Sequence, residues 1–147
     1  MEHTYLFRTG RWRAEGTYYD EAGHSFPLTG WSEVVRTSQE WTLDGALEVR
    51  CSPPLSFANR YQIHGTDRPY TLAWRSFNPA LGELEGTFEL AGESILSRYV
   101  SRDRVYSGCE VLTLREDGNY YNAGISMKNG RRMSAWTARL TGEEEGT

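Results

Sequence analysis

Aromatic rings and arginines are the side chains in this sequence best suited to holding a small molecule. Phe, Trp and Tyr make up 13% of the 147 residues, and all but one of the 16 basic residues are arginines. Rings supply broad apolar contacts, and a guanidinium can bind a carboxylate through two parallel hydrogen bonds. The side chains expected to line an interior ligand site come from different predicted strands: Trp31, Tyr61, Trp74, Phe88, Arg98, Tyr99 and Trp136.

The sequence alone does not decide whether these side chains face the interior or the solvent. Arg75 and Arg102 also lie on central predicted strands, where alternation could turn one of the arginines inward. In the opposite case the arginines are solvated outside, and the rings simply fill a small core. An inward guanidinium would favour a flat or elongated ligand that carries a carboxylate.

Glu33 is the candidate residue for acid–base catalysis. It shares the parity of Trp31 and Val35 on a long predicted strand, so an inward Trp31 would bring Glu33 inside as well. A carboxyl held in an apolar interior could act as an acid or a base. A bulge in the strand would instead turn Glu33 outward, and the sequence identifies no reaction.

Histidines and cysteines form no recognisable metal-binding or nucleophile motif. His3, His24 and His64 fall in a terminal segment, a loop and a strand end, without the short spacings of metal-binding sequences. Cys51 and Cys109 have no flanking catalytic signature, and they are expected to be free thiols. We therefore predict no metal site and no cofactor.

Alternation of apolar and polar residues runs through nearly the whole chain, and no segment has a helical period. The turns include Asp44-Gly45 and Asn129-Gly130, dipeptides typical of tight hairpins. The connections are too short for crossovers, so consecutive strands must pair antiparallel. Ten strands are predicted at about residues 10–19, 28–43, 46–51, 57–64, 70–77, 83–90, 94–101, 105–115, 120–128 and 131–140.

The number of strands favours a closed sheet. Ten consecutive strands in one open sheet would be strained by twist and would leave two exposed edges. We therefore predict an all-β fold, a single antiparallel up-and-down β-barrel of about ten strands, with a two-sheet sandwich as the alternative. Residues 1–9 would form a lead-in, residues 10–141 the barrel domain and residues 142–147 an acidic tail.

The residues Gly10-Arg11-Trp12 resemble the Gly-x-Trp signature on the first strand of lipocalins and their calycin relatives. In that signature an arginine near the end of the chain accompanies the tryptophan. The last strand of a closed meander pairs antiparallel with the first, so Arg139 is the arginine best placed to stack on the Trp12 indole. Trp12 would then plug one end of the barrel, and a ligand would enter at the other.

A second resemblance links the opening GRWRAEG (residues 10–16) and the closing AWTARL (residues 135–140) to nitrobindin-like barrels, and the general pattern to fatty-acid-binding-protein-like barrels. The chain departs from both families. Its last histidine is His64, so the haem-binding histidine of nitrobindins has no counterpart. Residues 20–27 are too few for the helical lid of the fatty-acid-binding proteins. The resemblance implies a lipocalin-like barrel without haem.

Charge and hydropathy limit the partners and the location. The net charge of −4 argues against general nucleic-acid binding, which needs a surplus of cations facing phosphates. The N-terminus has neither the basic nor the apolar region of a signal peptide, and no run of about 20 apolar residues could span a membrane. We therefore expect a cytoplasmic protein.

Three functions fit these observations. The first is an intracellular lipocalin-like barrel that binds a small hydrophobic or aromatic ligand, with an anionic group on the ligand as one option. The second is a cofactor-free isomerase, lyase or decarboxylase that uses Glu33 or a Tyr–Arg pair. The third is a barrel filled with side chains that acts as an interaction module, such as a homodimer. The fold alone does not choose among them.

Overall fold

The computed structural model describes residues 2–143, which form a closed antiparallel barrel. Each strand pairs with its neighbours in the chain, and β1 also pairs with β10. The predicted all-β, up-and-down barrel is confirmed. The ten strands are β1 (Gly10–Tyr19), β2 (Ser25–Arg36), β3 (Trp41–Val49), β4 (Leu55–Gly65), β5 (Thr71–Asn78), β6 (Gly82–Ala91), β7 (Ser94–Ser101), β8 (Tyr106–Leu114), β9 (Tyr120–Lys128) and β10 (Arg131–Gly142).

One of the two predicted hairpin turns is confirmed and the other is wrong. Asn129 and Gly130 both have positive φ angles, 52° and 79°, as a type I′ turn requires. Asp44-Gly45 instead lies in the middle of β3, so the long strand predicted over residues 28–43 is two strands. The chain reverses at residues 37–40, where the Thr37 amide donates to the Glu40 carbonyl (2.8 Å). The Thr37 hydroxyl accepts two backbone amides there, a local turn that competes with continued pairing.

The N-terminal segment closes one end of the barrel. Leu6 is fully buried, and its carbonyl accepts a hydrogen bond from Nε1 of Trp41 at 2.7 Å. Tyr5 packs edge-on against Trp12 with 5.4 Å between ring centroids, and Tyr120 packs against the same indole at 5.5 Å. Residues 3–9 therefore plug the barrel together with Trp12. Of the predicted acidic tail, residues 144–147 lie outside the described residues.

The predicted stack of Arg139 on Trp12 is not formed. Ala138 and Leu140 face the interior, so alternation turns Arg139 outward, where its side chain is exposed. The register between β1 and β10 places Gly142 opposite Trp12, and a Cβ atom there would lie 3.5 Å from the indole. Aromatic rings cover Trp12 where a guanidinium was expected.

The observed contacts of Trp12 predict that Trp12 and Arg139, the two paired residues of the predicted signature, contribute very differently to stability. Trp12→Ala should lower the free energy of unfolding by about 3–5 kcal/mol, because it empties the centre of the plugged end. Arg139→Ala should change it by less than about 0.5 kcal/mol, since this side chain lies on the outer face. Urea denaturation followed by circular dichroism measures both. Comparable losses in the two variants would contradict the aromatic plug.

Candidate ligand-binding lumen

A cavity of about 480 Å³ lies in the lumen. At the end opposite the plug, Tyr18, Phe57 and Tyr106 border both the cavity and the rim, and Phe57 is 38% exposed. The lumen therefore opens at this end. Of the residues predicted to form the site, four contribute rings that line the cavity: Tyr61, Trp74, Tyr99 and Trp136.

Glycines on the neighbouring strands allow three of these rings to lie against the wall of the barrel. Each ring has a glycine as its pairing partner on the next strand, and both residues of the pair face inward. A Cβ atom on any of these glycines would overlap the ring, so a larger residue would push the ring toward the barrel axis. The pairs are Trp74 with Gly86, Tyr99 with Gly108, and Trp136 with Gly124.

Glu110 is a carboxylate inside the lumen that the site prediction missed. It lies on β8 with the same inward parity as Leu112 and Leu114, and it borders the cavity. Nδ2 of Asn122 donates to its Oε2 at 3.2 Å, and Oδ1 of Asn122 accepts from Nε1 of Trp136 at 2.8 Å. The sequence signal for this placement is the shared parity of Glu110 with Leu112 and Leu114, although Cys109 and Val111 make the opposite face partly apolar as well.

Burial raises the pKa of Glu110 above its ordinary value, because desolvation disfavours the charged form more than hydrogen bonding with Asn122 and Trp136 favours it. Burial also raises the pKa of Tyr61 and that of Tyr5, and it raises the pKa of Tyr99 to about 12. The negative charge of Glu110 is a second cause in each case, so the three hydroxyls lie within its electrostatic reach. All three tyrosines remain neutral at physiological pH.

The remaining predicted residues lie elsewhere. Phe88 is 1% exposed and packs in the core beside Trp74, with 6.0 Å between ring centroids. Trp31 borders the cavity, but its indole points to the outer face, where the Arg11 guanidinium lies 4.6 Å from the ring centroid. Arg98 is exposed, because its strand neighbours Ser97 and Tyr99 take the inward positions. Arg75 and Arg102 are also exposed.

Glu33 faces outward, which is a correction to the prediction of an interior base. The register between β1 and β2 is unbroken, and it places Trp12 opposite Ser32, so Ser32 and Val34 face the interior. Glu33 then pairs with Arg11 on the outer surface at 3.8 Å, and 45% of its side chain is exposed. No bulge shifts β2, so alternation cannot turn this carboxylate inward.

Within residues 2–143, no group of three or more His, Cys, Asp and Glu side chains is arranged to hold a metal ion. The same residues contain no helix with the length and apolar character needed to cross a membrane.

These features define the molecule as a closed antiparallel β-barrel with an open, ring-lined interior cavity. No protein-family model and no curated protein matches the chain. Among solved structures, the S-type phycobiliprotein lyase CPES from Guillardia theta is similar, with a TM-score of 0.64. The similarity covers 94% of this chain and 89% of that one, at 8% sequence identity. At this identity the comparison shows a shared fold.

The buried carboxylate predicts an unusual pH dependence of stability. Below its unfolded pKa, Glu110 is neutral in both states; as pH rises through the raised folded pKa, the folded state must carry a buried charge and loses stability. Glu110→Gln, which can still accept from Asn122, should therefore raise Tm at pH 8, by roughly 2–4 °C for each kcal/mol gained. The difference from wild type should shrink as pH falls.

Glu33→Gln is the matched control for this experiment, because it removes a carboxylate from the outer surface. Its Tm should follow that of wild type at every pH, to within the small effect of an exposed ion pair. Thermal unfolding at several pH values between 4 and 8 tests both variants. A lower Tm for Glu110→Gln at pH 8 would contradict the cost assigned to the buried charge.

Proposed function

We propose that this protein binds a small, elongated and largely apolar molecule inside the barrel. The observation that carries the proposal is the lumen itself, a cavity of about 480 Å³ that is plugged at one end and open at the other. Pockets of roughly 300–1,000 Å³ are typical of sites for small organic ligands. Rings from β4, β5, β7 and β10 would contact the faces of a flat ligand.

The glycines opposite the rings favour ligand binding over a filled core. In a barrel of this size, side chains alone can occupy the interior. Here Gly86, Gly108 and Gly124 leave room for three large rings on the wall, so that volume near the axis stays open. This arrangement is the opposite of what a purely structural core requires, because interiors are normally packed without large voids.

The charge of the lumen revises the class of ligand. In residues 2–143, no Arg, Lys or His side chain lines the cavity. A ligand carboxylate would therefore find no cationic partner there, and it would meet Glu110. We infer that the ligand is not anionic at its buried end, and we drop that part of the sequence-based prediction.

The proposal of a lipocalin-like ligand carrier is supported by the Gly10-Arg11-Trp12 opening and by the up-and-down barrel. A second support is the similar fold of a solved structure that is named a phycobiliprotein lyase, because it shows that a barrel of this fold can serve a function other than a structural one. The enzymatic alternative is not supported by either of its sequence-based routes: Glu33 faces outward, and within residues 2–143 no arginine lines the cavity to form a Tyr–Arg pair there.

Two neighbouring residues of β3 allow a test of interior binding. Leu47 lines the cavity, whereas Glu48 is exposed on the outer face. Leu47→Trp should weaken binding of the neutral fluorescent probe Nile red at least tenfold, because the indole takes volume from the lumen. Glu48→Trp should leave the Kd within about twofold, since it adds the same ring outside.

Fluorescence titration gives the two Kd values, and circular dichroism confirms that both variants are folded. Equal binding by the two variants would mean that the probe occupies the outer surface, which contradicts the proposal. Native mass spectrometry of freshly purified wild-type protein complements the titration. A retained small molecule that Leu47→Trp loses, and Glu48→Trp keeps, would support it.

A further inference from the structure

We propose that the ligand presents a positively charged nitrogen group to Glu110 inside the barrel. This inference rests on the proposed interior binding and adds the chemistry of the buried end of the ligand. It would make the protein a binder of organic cations, such as protonated aromatic amines, and a poor binder of the fatty acids that related barrel architectures accept.

The hydrogen bonds around Asn122 fix the direction in which Glu110 acts. An indole N–H can only donate, so the Asn122 atom that faces Trp136 at 2.8 Å must be its carbonyl oxygen. The amide nitrogen then faces Glu110, with the Val111 carbonyl as its second acceptor at 3.1 Å. Both N–H groups of Asn122 are used, and Glu110 is held as an acceptor through Oε2.

The carboxylate of Glu110 remains accessible to a ligand. Its side chain borders the open cavity, and the only side chains that favour its charged form by hydrogen bonding within residues 2–143 are the uncharged Asn122 and Trp136. The titratable groups on which its charge acts are the hydroxyls of Tyr5 in the N-terminal segment, Tyr61 on β4 and Tyr99 on β7. All three are neutral, so none balances the charge of the carboxylate.

Glu110 differs in this respect from carboxylates on the outer surface. Glu33 lies beside Arg11, Asp44 beside Arg60, and Glu83 beside Arg102. A partly desolvated carboxylate without a countercharge is more costly than any of these, because it gives up part of its hydration and gains no Coulombic attraction in return. A ligand cation beside this carboxylate would supply the missing charge in a low-dielectric site, where the attraction is strong.

Three compounds that share one ring system test the proposal: 9-aminoacridine, which is cationic at pH 7.5; acridine, which is neutral; and acridine-9-carboxylate, which is anionic. Binding is measured by fluorescence titration at 0.5 M NaCl. At this ionic strength the attraction of cations to the acidic surface is screened, whereas a buried ion pair is not. Wild type, Glu110→Gln, Glu33→Gln and Leu47→Trp are compared.

We expect wild type to bind 9-aminoacridine at least tenfold more tightly than acridine, and acridine more tightly than the carboxylate. Glu110→Gln should reduce the preference for the cation to less than about threefold and keep the affinity for neutral acridine. Glu33→Gln should behave as wild type. In wild type, lowering the pH toward 4.5 should weaken cation binding, because Glu110 becomes protonated; this measurement does not depend on any variant.

The outcomes separate this inference from the function on which it rests. Binding of acridine that Leu47→Trp abolishes, without a preference for the cation in wild type, would overturn the inference and leave interior binding intact. A preference for the cation that survives in Glu110→Gln would also overturn it. If no acridine binds wild type and Leu47→Trp has no effect on Nile red, the proposed function itself fails.

Discussion

The antiparallel pairing of β1 with β10 is the constraint on which the rest of the structure depends. Once these strands pair, the sheet has no edge, and the direction of each inward or outward side chain is fixed all the way around the ring. The same register places Trp12 beside Gly142 and Ser32, where the N-terminal segment covers it. Arg139 lies one step out of phase and therefore cannot reach the indole.

Strand alternation explains both the success and the failure of prediction from the sequence. The bounds of β1, β7 and β9 follow from the apolar pattern and from turn residues such as Asn129-Gly130, because these signals are local. Asp44-Gly45 carries the same local signal but lies within β3. Its neighbours Ser32 and Asn59 pair with Gly45 from both sides, and these long-range hydrogen bonds override the turn preference.

The site was harder to predict than the strands, because alternation shows which residues share a face but not which of the two faces is the inner one. Placing the indole of Trp31 inside is reasonable when only size and hydropathy are known, and it carries Glu33 inward with it. The register with β1 reverses both, since the small Ser32 faces Trp12 across the strands. Glu110 was accessible to the same reasoning, because it shares the parity of Leu112 and Leu114, the larger apolar residues of its strand. What no pattern shows is the Asn122–Trp136 pair, which joins two strands.

The two halves of the lumen differ in how densely they are packed. Near the plug, large side chains such as Leu6, Trp12, Phe88 and Tyr120 are almost completely buried and pack against one another. Toward the open end, glycines lie among aromatic, aliphatic and polar side chains at the inward positions, and volume remains. Because the plugged half supplies a dense apolar core, the fold can tolerate a desolvated carboxylate in the other half. In the cation binding that we propose, a group that raises the energy of the empty barrel would increase the gain when a ligand of opposite charge enters, so that the cost in stability would become selectivity in binding.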